Sequence, residues 1–148
     1  MNFLVINGPN LNLLGQREPD IYGKQDYAAL LEMIEGVCKE EGIDVSFFQS
    51  NHEGAIVDAI QASYGKYDGI VINPAAYTHT SIAILDALKA VAIPTIELHL
   101  SDIHSREEFR NVSITGNAAI KIIYGMGFEG YRKAVLDLKA YLSGSENA

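Results

Sequence analysis

The sequence predicts a single doubly wound α/β domain built on a five-stranded parallel sheet of order 2-1-3-4-5. Three observations carry that reading. Short apolar runs alternate with stretches of helical period along nearly the whole chain. Strands one and three are apolar on both faces, as central parallel strands must be. No repeat, linker or low-complexity block interrupts the pattern before Ser143. One domain is expected over residues 1–142, with 143–148 a disordered tail. A chain of 148 residues, 48% of them hydrophobic, has the apolar material for one packed core.

Phe3-Leu-Val-Ile6 reads as a buried strand, followed by a helix whose stripe is Leu30, Leu31, Ile34, Val37 and Cys38 and which ends near Gly42. Val45 to Ser50 gives the second strand, and Ile56, Val57 and Ile60 the second helix. Gly69-Ile-Val-Ile-Asn73 is the third strand, after which Thr80 or Ser81 caps a helix carrying Ile82, Leu85, Leu88 and Val91. Pro94 to Leu100 and Ala119 to Tyr124 are the last strands, and Tyr131 to Leu142 is the closing helix. Ser46, Ser50 and Lys121 interrupt strands two and five, which suits edges. Right-handed crossovers then leave a ligand site outside the carboxyl ends of the strands, beside the switch between strands one and three.

Charge narrows the function. With 11 Lys and Arg against 19 Asp and Glu, a formal net charge of −8 and no dense basic run, neither nucleic acid nor an anionic membrane is an expected partner. No apolar stretch is long enough to span a bilayer, and Phe3 to Ile6 lacks the basic leader of a signal peptide, so a cytoplasmic location is expected. The lone Cys38 leaves no internal disulfide and no CxxC metal site. The GxGxxG, Walker and GxSxG signatures are missing. His52, His79, His99 and His104 have no short ligand spacing beyond Glu97-x-His99. Neither a cofactor nor a metal is expected.

Asn7-Gly-Pro-Asn-Leu-Asn12 follows the first strand and leads into a segment running to Lys24 with neither period, holding Arg17, Glu18, Tyr22 and Gly23. A loop of that length in a compact domain suits a lid, with Gly15 and Gly23 as hinges. Strand four is odd. Its alternation puts Thr95, Glu97, His99 and Ser101 on one face, where an internal parallel strand should be apolar. Glu97 and His99 are therefore expected to hydrogen-bond each other, leaving one imidazole nitrogen toward the cleft. Asn73, Tyr77 and His79 add polar groups to the same rim, and Arg106 and Arg110 share a face if Arg106-Glu-Glu-Phe-Arg110 is helical.

Six blocks in order identify a resemblance. They are Asn7-Gly-Pro-Asn-Leu-Asn-Leu-Leu-Gly15, Arg17-Glu-Pro-Asp-Ile-Tyr-Gly23, Ser50-Asn-His-Glu-Gly54, Asn73-Pro-Ala-Ala-Tyr-Thr-His-Thr-Ser81, Glu97-Leu-His-Leu-Ser101 and Arg106-Glu-Glu-Phe-Arg110. From Phe3 to Tyr131 the sequence resembles the type II 3-dehydroquinate dehydratases. The resemblance implies a flavodoxin-like fold and anti elimination of water from 3-dehydroquinate to 3-dehydroshikimate through an enolate, a step of the shikimate pathway, with no metal or cofactor. Tyr22 matches the family's base, Arg17 the lid arginine that activates it, and Asn12 the donor to the enolate oxygen. His99 matches the general acid, oriented by Glu97. Asn73 and the backbone N–H groups of Leu100 and Ser101 match the carboxylate site, and His79 and Arg110 the groups on the ring hydroxyls. Asp86 matches a residue that reaches a neighbouring subunit's site, since the family forms dodecamers of four trimers.

The chain departs from the family pattern at Ala75, Leu85, Asp102 and Asn111-Val112, none of them a matched catalytic position. Two other functions remain open at the level of sequence. The same reaction can serve quinate breakdown, and the same polar rim could bind a small polyol carboxylate without turnover.

Overall fold

The computed structural model describes residues 1–16 and 25–144. The strands are β1 (Asn2–Asn7), β2 (Asp44–Gln49), β3 (Gly69–Asn73), β4 (Thr95–His99) and β5 (Lys121–Tyr124), all parallel, in the order β2-β1-β3-β4-β5. The helices are α1 (Tyr27–Glu40), α2 (Glu53–Ala62), α3 (Ile82–Val91) and α4 (Glu129–Leu142). The order 2-1-3-4-5 expected from the apolar pattern is the one found, and it is that of the flavodoxin-like fold the resemblance implies. β2 and β5, the strands broken by polar residues, are its edges.

Period two along the central strands sorts the core into two layers. Phe3, Val5 and Val71 pack with Leu30, Ile34 and Val37 of α1 and with Ala134, Val135 and Leu138 of α4. Leu4, Ile6, Ile70 and Ile72 pack on the other face with Ile56 and Ile60 of α2 and Ile84 and Leu88 of α3. Cys38 is fully buried in the first layer, and burial pushes its thiol up to about 11, so it behaves as a small apolar side chain. Asp26 caps α1 through Ala29 N–H at 2.8 Å, and Ser81 rather than Thr80 caps α3 through Ile84 N–H at 2.9 Å.

Three expected elements differ, the first being α4, which opens at Glu129 rather than Tyr131. β5 opens at Lys121 rather than Ala119, because Ala119 N–H closes a turn onto Gly116 O at 3.0 Å. Arg106 to Arg110 is not one helical face. A 3₁₀ turn over Ile103–Ser105 is followed by extended Arg106 (φ −101, ψ −163) and a second 3₁₀ turn, Glu108–Arg110. A five-residue run cannot offset the cost of helix nucleation without a packed face, and nothing here supplies one. At the other end, the Ser143 and Gly144 N–H groups donate to the Lys139 and Tyr141 carbonyls at 2.9 and 3.1 Å. Residues 145–148 of the expected tail lie outside the described residues.

Candidate active site

Parallel register aligns the carboxyl ends of the strands, so side chains far apart in sequence become neighbours. Asn7 pairs with Asn73 across β1 and β3, Gln49 lies beside Asn7, and His99 pairs with Tyr124 across β4 and β5. Above these ends opens a cavity of about 400 Å³, within the size range of small-molecule sites. Asn73, His79, His99, Leu100, Ser101, Arg106 and Arg110 line it, together with Pro9, Asn10, Leu11 and Leu13 from the loop after β1. No carboxylate is among the described lining residues. In a chain of net charge −8, a cavity walled by two arginines and two histidines is a local site for an anion.

Glu97 lies behind His99 and is fully buried. Its Oε2 accepts from Thr78 Oγ1, Ser113 Oγ and His99 Nε2, each at 2.8 Å, and its Oε1 accepts from Thr115 Oγ1. Burial alone would raise the Glu97 carboxyl; the hydrogen bonds from His99 and Thr115, the charge of His99 and the Ser113 bond together outweigh it and hold the group below the usual carboxylate range. Glu97 is therefore an anion, and it fixes His99 with Nε2 bound and Nδ1 left for the cavity. The imidazole is held on a second side by Tyr124, whose ring stacks on it at 5.7 Å between centroids and 13° between planes. Strand alternation anticipated the Glu97–His99 pair. It did not anticipate Thr78, Ser113 and Thr115, which come from turns with no period of their own.

These hydroxyls explain how β4 tolerates a polar face. The 3₁₀ turns Ala75–His79 and Thr115–Ala118 cover that face where an apolar helix would otherwise lie. The cover fits tightly at Gly116, where an added Cβ would stand 2.2 Å from Ile122 Cδ1 and 2.7 Å from Ser113 Oγ. At the other wall, a Cβ on Gly8 would stand 2.5 Å from Pro74 O, so the loop after β1 can lie on β3 only through a glycine.

The remaining expected residues divide. His79 Nδ1 donates to Val112 O at 2.8 Å, since a carbonyl only accepts, so Nδ1 carries the proton and Nε2 is the free nitrogen. Arg110 is anchored by Nε to Glu107 Oε2 at 2.8 Å. Asn12 is not brought to the cavity wall: it is exposed, with Oδ1 accepting from Gln49 Nε2 at 3.3 Å. Asp86 is exposed on α3 and does not line this subunit's cavity. Arg17 and Tyr22, the expected lid pair, lie outside the described residues.

Comparison with known proteins places this geometry in a family. The model of the family described as dehydroquinase class II matches residues 1–139. The chain belongs to that family. It is 54% identical over 136 residues to a 3-dehydroquinate dehydratase of Lachnoclostridium phytofermentans, covering 91% of this chain and 94% of the relative. It is 53% identical over 143 residues to a 3-dehydroquinate dehydratase of Clostridium acetobutylicum, covering 97% and 99%. The crystal structure of the type II dehydroquinase from Butyrivibrio crossotus superposes with a TM-score of 0.90 at 52% identity, covering 94% of this chain and 97% of that one. A class II dehydroquinase thus keeps its anionic Glu97 out of the cavity and its cationic groups in it. Among the described residues, no helix is long and apolar enough to cross a membrane.

Proposed function

We infer that this chain catalyses the dehydration of 3-dehydroquinate to 3-dehydroshikimate, the hydro-lyase step of the shikimate pathway. One observation carries the reading: a buried, anionic Glu97 holds His99 against a cavity that two arginines and, among the described residues, no carboxylate line, in a chain of the dehydroquinase family.

The reaction removes a proton alpha to a ketone and expels hydroxide from the adjacent carbon. Tyr22 takes the C2 proton as a tyrosinate, and the Arg17 guanidinium favours that ionised form. Negative charge then builds on the carbonyl oxygen, and Asn12, which lies exposed beside the cavity, stabilises the enolate through a water. Its amide is suited to this. Gly8 O accepts from Gln49 Nε2 at 3.2 Å, so it is the Gln49 nitrogen that meets Asn12; Asn12 therefore gives Oδ1 to Gln49 and keeps Nδ2, a donor, for the water. Hydroxide leaves poorly, and His99 protonates the C1 hydroxyl from Nδ1 as the bond breaks, while Glu97 stabilises the imidazolium. Asn73 and the Leu100 and Ser101 N–H groups hold the substrate carboxylate, and His79 and Arg110 hold the ring hydroxyls.

We place the enzyme in the cytoplasm as a dodecamer of four trimers, with the exposed Asp86 completing a neighbouring subunit's site. Light scattering tests the assembly; a monomer with full activity would remove Asp86 from the site. The chemistry is tested by isotope exchange at C2. Exchange that survives in His99→Ala and disappears in Tyr22→Phe is the expected pattern, and the reverse pattern would overturn both roles.

A further inference from the structure

Tyr131 is fully buried on α4, makes no contact with the cavity, and yet its hydroxyl joins Asn7 to Asn73. The directions of these bonds follow from the donors alone. Ala75 N–H can only donate, and it lies 3.1 Å from the Asn73 side chain, so that position holds Oδ1. Asn73 Nδ2 must then be the atom 3.0 Å from the Tyr131 hydroxyl, and it donates to that oxygen. The Tyr131 proton is thereby directed to Asn7 Oδ1 at 2.6 Å, and Asn7 Nδ2 is turned to the Tyr27 hydroxyl at 3.3 Å. Burial pushes the Tyr131 hydroxyl far up, so it keeps its proton.

The consequence falls on Asn73. Its oxygen is occupied by Ala75, one Nδ2 hydrogen is bound by Tyr131, and the second meets no acceptor among the described residues while Asn73 lines the cavity. We propose that Tyr131 is a positioning residue that, together with Ala75 N–H, holds the Asn73 amide in its observed polarity, so that Asn73 meets the substrate carboxylate as a hydrogen-bond donor and not as an acceptor. Without the Tyr131 oxygen, the amide loses one of its two anchors, and only the Ala75 N–H bond to Oδ1 resists rotation away from the orientation an anion requires. Asn7 acts one bond further out, by taking the proton that would otherwise compete with Nδ2 for the same line between Tyr131 and Asn73.

This inference rests on the reading of Asn73 as a carboxylate group, and its test separates the two. KM and kcat for 3-dehydroquinate are measured in Tyr131→Phe, Asn73→Ala and the double variant. Tyr131→Phe should raise KM about tenfold with kcat within about twofold, the size expected for a misdirected bond to a charged group. In the Asn73→Ala background the same change should add almost nothing to KM, because its effect passes through Asn73. Full additivity of the two changes, or a fall in kcat at unchanged KM, would overturn the positioning role. An unchanged KM in Asn73→Ala would instead refute the carboxylate reading itself. If Tyr131→Phe does not fold, Asn7→Ala removes the acceptor for the Tyr131 proton; it should raise KM less, again only when Asn73 is present, and a KM equal to the parent's would overturn the inference.

Discussion

Glu97→Gln removes the charge behind His99 while keeping the shape of the side chain. Because the hydrogen bonds at Glu97 outweigh its burial, the pocket favours the anion over a neutral group. A neutral amide is therefore a loss and not a relief. The least disruptive placement puts the new NH2 at the Oε1 position, where Thr115 can turn its proton to Thr78 Oγ1, 3.0 Å away, and accept. Three bonds at Oε2, each 2.8 Å, then become neutral. Hydrogen bonds to charged groups exceed neutral ones by about 1 kcal/mol, and removing the buried charge offsets part of that loss. A net cost of about 1–3 kcal/mol corresponds to a fall in Tm of roughly 3–10 °C for a chain of this size. The His99 imidazolium also loses its counter-ion, worth about 1.5–3 kcal/mol, which lowers kcat about ten- to hundredfold. KM should hardly move, since Glu97 does not line the cavity. Differential scanning calorimetry and steady-state kinetics on parent and variant read both quantities. A kcat within about twofold of the parent, or an effect confined to KM, would refute the account of Glu97 as the group that makes His99 an acid.

Other predictions follow from the same contacts. Glu97 is held below its unfolded value, so its contribution to stability is present above about pH 4.3 and is lost as pH falls through the folded value. The Tm of the parent should fall more steeply below about pH 4 than that of Glu97→Gln, and parallel melting curves would contradict this. Gly116→Ala should push Ser113 off Glu97, costing about 1–3 kcal/mol with a fall in kcat; a wild-type melt would show that the turn relaxes freely. Gly8→Ala should lift the loop after β1 from Pro74 and raise KM more than it lowers kcat, which kinetics on the purified variant would check.

The fold was largely legible because its signals are local. Apolar runs in β1 and β3, polar breaks in β2 and β5, and Ser81 at a helix start each act within a few residues, and the sheet order follows from them. Glu97 and His99 were legible as a pair for the same reason: alternation along one strand put them on one face. The rest of the site is not local. Thr78, Ser113 and Thr115 reach Glu97 from turns separated by 35 and 37 residues, and nothing in the spacing of three hydroxyl residues marks them. Tyr131 was legible only as part of the closing helix; its buried hydroxyl meets Asn7 at a separation of 124 residues. Arg106 and Arg110 reach the cavity as expected, through two 3₁₀ turns instead of one helix, because the chain between them is extended.

The most direct test is the ultraviolet absorbance of 3-dehydroquinate incubated with purified, chelator-treated protein, since dehydration creates a conjugated enone carboxylate that the substrate lacks. The account predicts a steady rise that Tyr22→Phe abolishes and Glu97→Gln slows. Substrate binding with no rise would contradict it, and would mark the cavity as a binding site for a polyol carboxylate without turnover.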